Sequence, residues 1–141
     1  MGQAFLRGQA SGGKIDFSKL NHQIVYQKGL SPNSVATTIP GPGLYVISWS
    51  PALYTTVGNS LRLRTSAETN VSLSNYAIEL ESTSDHYEVV LDIYDNGDGT
   101  FSVYGWNKST GVYTLITDKA VSFRNGSPST SMLLVIVRLY Q

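Results

Sequence analysis

From Ile15 onward, apolar and polar residues alternate with a period of two, and turn-forming residues interrupt the alternation at short intervals. That pattern predicts an all-β sandwich or barrel and no helix. Gln23 to Tyr26 is a short candidate strand, ended by Gly29, Ser31, Pro32 and Asn33. Pro40-Gly41-Pro42-Gly43 cannot continue a sheet. It delivers the chain into a run in which Leu44, Val46 and Ser48 take one side and Tyr45, Ile47 and Trp49 the other. Both sides are apolar at its start, so this strand is expected to be covered twice, by the sandwich and by a neighbouring subunit or loop.

Further along, Leu61 and Leu63 alternate with Arg62 and Arg64, and Ile78 and Leu80 alternate with Glu79 and Glu81, as in strands with one wet face. Tyr87 to Tyr94 leads through Asp95-Asn96-Gly97-Asp98-Gly99 into Thr100 to Trp106, which predicts a hairpin. Asn107 to Gly111 makes the next turn, Val112 to Thr117 and Ala120 to Arg124 read as strands, and Asn125 to Pro128 turns again. The chain finishes on Met132 to Tyr140, an apolar run rich in β-branched residues. Parity there sets Leu133, Val135 and Val137 against Leu134, Ile136 and Arg138. The spacing suits about eight to ten strands in an antiparallel two-sheet sandwich.

Length changes the picture little: 141 residues make one domain. Residues 1–14, rich in Gly, Gln, Ser and Ala, read as an extended attachment arm and residues 15–141 as the sandwich. No signal peptide, myristoylation signal or membrane span is legible. Charged residues are only 14% of the chain, and ten basic residues balance ten acidic ones. A nucleic-acid or anionic-membrane partner, which needs a concentrated basic face, is therefore disfavoured. Zero net charge also removes the repulsion that keeps monomers apart, which favours life inside an assembly. Without cysteines, disulfides, thiolate metal sites and cysteine nucleophiles are excluded.

Candidate chemistry is sparse. Asp92, Asp95, Asn96 and Asp98 crowd one hairpin with oxygen ligands of the type calcium takes, with Asp95, Asn96 and Asp98 in the turn itself, but at spacings that do not match an EF-hand loop. Such residues are also favoured in turns for backbone reasons alone. His22 and His86 stand far apart without a second metal ligand, and no Gly-x-Ser-x-Gly elbow occurs. Glu79, Glu81 and Glu88 are carboxylates without a positioned partner, so neither an enzyme nor a cofactor is expected. Asn70, Asn107 and Asn125 begin glycosylation-type triplets that read as polar turns. Nine tyrosines and two tryptophans offer more. Tyr54, Trp106 and Tyr113 fall near strand ends, where a saccharide ring or a partner surface can rest on them.

The segment Pro42 to Trp49 resembles the Pro-Gly-x-Tyr-x-apolar-Ser strand of the jelly-roll heads related to tumour necrosis factor and to the globular domain of the complement collagen-like proteins. Met132 to Tyr140 is similar to the strand that closes those heads. The resemblance spans Gln23 to Gln141, without a collagen stalk or cysteines. It implies a homotrimer with one sheet of each subunit facing the three-fold axis. The same fold serves as trimeric tips and spikes of bacteriophage particles, whose Gly-rich attachment arm the leader resembles.

These readings converge on a trimeric jelly-roll protein of a bacteriophage virion: capsid decoration, head fibre or tail-associated tip. Its arm would meet other virion proteins, and its loops would meet a host surface polysaccharide. Leu44, Val46, Trp49, Leu133, Val135 and Val137 are the expected subunit interface. The alternative is a carbohydrate-binding lectin-like module of bacterial origin.

Overall fold

The computed structural model describes residues 16–51, 61–81 and 85–141, with only the backbone of Phe17 and Glu81. Among the described residues, a single turn of 3-10 helix at Phe17–Lys19 precedes ten strands: β1 (Asn21–Leu30), β2 (Val35–Thr38), β3 (Gly43–Pro51), β4 (Leu61–Thr65), β5 (Asn70–Ser72), β6 (Ile78–Glu81), β7 (His86–Asp95), β8 (Phe101–Asn107), β9 (Val112–Asn125) and β10 (Met132–Tyr140). Every pairing is antiparallel, in the order β1-β10-β3-β7-β8-β9-β4-β5, with β2 added on β9 and β6 on β7.

The sheet curls upon itself. Tyr45 on β3 and Phe123 on β9 are three positions apart in the strand order, yet their ring centroids lie 6.0 Å apart. The space enclosed is filled by the inward set of each strand, among them Ile47, Trp49, Leu61, Leu63, Leu91, Ile93, Leu134 and Ile136. Burial of that many large side chains, at about 25 cal/mol per Å² of apolar surface, is the dominant stabilising term.

Two polar clasps hold the ends of the curl. The Tyr45 hydroxyl donates to Gly41 O at 2.6 Å, and Arg138 Nε donates to Pro42 O at 2.9 Å while its Nη1 reaches Gln23 Oε1 at 3.2 Å. A Cβ on Gly41 would stand 2.5 Å from Arg138 Nη2, so the Pro-Gly-Pro-Gly break is shaped to admit this guanidinium. At the other clasp Asn125, fully buried, donates from Nδ2 to Leu30 O, Ser31 O and Thr130 O and accepts from Ser127 N.

Several boundaries differ from the sequence reading. Val112 to Thr117 and Ala120 to Arg124 form the one strand β9, whose ladder with β8 is interrupted by register shifts. β2 and β5 were too short to signal themselves. Ile78 and Leu80 are exposed, because β6 hangs on only the first residues of β7 and no described layer covers it.

Candidate functional site

The outer face of the curl, opposite the core, is where five of the six expected interface residues collect: Leu44, Val46, Leu133, Val135 and Val137. Hydrogen-bond register aligns Ile24, Val137, Val46 and Val90 in one row across β1, β10, β3 and β7. Ile24 is 56% exposed and Val90 46%. Leu139 and Leu44 lie opposite each other in the row on one side of it; on the other side Val135 faces Ser48, and beyond it Leu133, 50% exposed, faces Ser50. Strand alternation forces this pattern: packing Tyr45, Ile47, Leu134 and Ile136 inward turns Leu44, Val46, Leu133, Val135 and Val137 outward. Cross-strand β-branched pairs stabilise the sheet by roughly 0.2–1 kcal/mol each, but that leaves their outer surfaces in water.

Trp49 does not belong to this face. It is 1% exposed, inside the core, stacked on Tyr87 at 5.6 Å with 21° between the planes. Its odd position in β3 puts it on the same side as Tyr45 and Ile47.

Beyond β7 the outer face changes from aliphatic to aromatic. Asp92 is opposite Leu44 on one side and Tyr104 on the other. The Tyr104 ring stacks on Tyr113 at 5.6 Å and 10° and meets Tyr94 at 5.7 Å. Asp92 is 1% exposed and its Oδ2 accepts the Tyr113 hydroxyl hydrogen at 2.5 Å. Tyr113 is thus committed to an internal bond, whereas Trp106, its cross-strand partner, is 59% exposed. Tyr54 lies outside the described residues, as do residues 1–14.

In the β7–β8 turn, Asp95 Oδ1 accepts from Gly97 N at 2.8 Å, and Asp98 Oδ1 accepts from both Thr100 N and Thr100 Oγ1. These bonds hold the Asp98 carboxyl below the usual carboxylate range. Asn96 donates to Thr100 Oγ1 and Asp118 O and accepts from Ser102 Oγ. The three side chains are thus spent on building the turn, with Gly97 and Gly99 at positive φ. Beside them lies an open hollow of about 410 Å³ that includes Ser66, Asp118 and Lys119. Among the described residues no group of three or more His, Asp or Glu side chains is placed to hold a metal ion.

The buried role of Asn125 and the Asp92–Tyr113 bond escaped the sequence reading. Each joins residues far apart in the chain, and neither leaves a local signature. Compared with known proteins, the chain matches no family model, no curated protein and no solved structure. No helix among the described residues is long and apolar enough to cross a membrane.

Proposed function

We propose that this protein is a self-assembling structural module that buries the outer face of β1, β10, β3 and β7 against further copies of itself, as a homotrimer within a bacteriophage virion. The observation that carries the reading is the four-residue apolar row Ile24, Val137, Val46 and Val90, flanked by Leu44, Leu133 and Val135. A contiguous apolar face of this kind marks an association surface. Its occupant is a second copy because the chain has zero net charge and this part of the face carries few charges, so like surfaces meet without repulsion. In this reading the curled sheet is a jelly roll, with β1, β10, β3 and β7 as the layer turned to the three-fold axis. The trimer and the virion setting rest on the resemblance of Pro42 to Trp49 and Met132 to Tyr140 to trimeric jelly-roll heads, and on the Gly-rich leader. The protein would act by assembly and by presenting the turns at Asp95–Gly99 and Asn107–Gly111, whereas the expected third turn, Asn125–Pro128, is drawn inward by the buried Asn125 and Ser127. Light scattering after size exclusion tests this: a mass of three chains of 15.4 kDa each supports it, and a monomer at every concentration overturns it.

A further inference from the structure

One edge of β7 is shared between two strands. β6 pairs with its first residues, His86 to Glu88, and β8 with its last, Asp92 to Asp95. The interval at Val89 to Leu91 opens as a cleft of about 190 Å³ lined by Tyr76, Ile78, Glu88, Val90, Trp106 and Lys108. Its walls are fixed: Lys108 N donates to Asn75 O at 2.9 Å, and Lys108 Nζ to Ala77 O at 2.8 Å, stitching the turn after β8 to the turn before β6.

We propose that this cleft is a binding site for a neutral saccharide ring. The indole of Trp106 and the aliphatic side chains of Ile78 and Val90 are exposed, and together they offer an apolar platform for the C–H face of a sugar. At the rim stand one acceptor and one donor. The Glu88 carboxylate takes no hydrogen bond among the described residues, and the Lys108 ammonium spends one of its three hydrogens on Ala77 O. Their charges cancel, so the site favours an uncharged ligand carrying hydroxyls at its edge over an anion or a cation. The volume falls below the roughly 300–1,000 Å³ of drug-sized pockets, which matches one ring. The site borders the assembly face and shares Val90 with it, while Trp106, Ile78 and Lys108 stand outside the row.

Saturation-transfer NMR with glucose, galactose, mannose and N-acetylglucosamine, and with phenol as an apolar aromatic comparator, tests the assignment. At least one sugar should bind saturably with a Kd of about 1 mM, the range of a few weak contacts. Trp106→Ala should weaken it by about tenfold or more, corresponding to a lost stacking contact of roughly 1.4 kcal/mol. Trp106→Phe should retain most of the affinity and Glu88→Gln should lose part of it. The indole resonance of Trp49 reports that each variant is folded, and the solution mass of the same samples reads assembly separately. No binding by any of the four sugars, binding by phenol alone, or sugar binding indifferent to Trp106→Ala would overturn the proposal.

Discussion

Tyr113 on β9 reaches across β8 to donate its phenolic hydrogen to Asp92 on β7, at 2.5 Å. The bond places a carboxylate that is 1% exposed on the outer side of the sheet beneath a tier of tyrosine rings. It marks the boundary at which the aliphatic face of β10, β3 and β7 gives way to the aromatic face of β8 and β9.

Replacing Tyr113 by Phe keeps the ring that stacks on Tyr104 and removes only the donor. A buried acceptor deprived of its partner costs about 1–3 kcal/mol. Urea denaturation should show an unfolding free energy lower by that amount, as a lower midpoint at unchanged slope.

Asn125→Ala should be at least as damaging. Its amide serves Leu30 O, Ser31 O and Thr130 O with two hydrogens, and its carbonyl serves Ser127 N. Removing it strands several of these groups at about 1–3 kcal/mol for each that water cannot reach. Thermal unfolding should report a substantially lower midpoint, and hydrogen exchange should accelerate first at Ser127, whose N–H loses its acceptor.

Both residues show what a single sequence makes legible. The alternating runs at Leu44–Trp49 and Leu61–Thr65 and the β-rich runs at Tyr87–Tyr94 and Met132–Tyr140 all lie in strands, because alternation and β-branched content are local signals. Parity divides β3 and β10 into the two sets the structure shows, although the expected interface placed Trp49 with Val46. Parity itself separates Trp49 from Val46, a distinction that counting large apolar residues alone overlooks. Ladder order, the curl that brings Tyr45 to Phe123, and the contacts of Asn125 and Asp92 depend on partners tens of residues away. No local pattern encodes those.

Stability should fall at alkaline pH. Burial pushes the Tyr45 hydroxyl up to about 12 from 10.0, opposed in smaller measure by the Arg138 charge and the bond to Gly41 O. Burial, with the hydrogen bond and charge of Asp85 and the charge of Glu79, pushes Tyr87 up to about 12 as well. A hydroxyl that ionises later when folded favours the folded state fully below the unfolded value near 10, and this preference is lost progressively as pH rises through 12. Chemical denaturation between pH 9 and pH 12, roughly the interval set by these values, should show a steep loss. Tyr45→Phe should make that loss shallower while lowering stability at pH 7 by about 1 kcal/mol for the bond to Gly41.

The two tryptophans should separate cleanly. Trp49→Ala opens a cavity beside Tyr87 and should cost about 3–5 kcal/mol. Trp106→Ala, at an exposed position, should stay within about 0.5 kcal/mol of the native chain. Guanidinium midpoints for the two variants, measured side by side, decide this.

The central claim is that the outer row is covered by other copies of the chain. Val46 lies at its middle, between Val137 and Val90, with its side chain directed away from the core. A carboxylate placed there is tolerated in a lone chain but is desolvated and unpaired when copies meet. The most direct measurement is the solution mass of Val46→Glu beside that of the native protein at matched concentrations, with far-ultraviolet circular dichroism to verify the fold. A native mass of three chains that drops to one in the variant, with the β spectrum unchanged, is the predicted result. Equal masses for the two folded proteins would contradict the account.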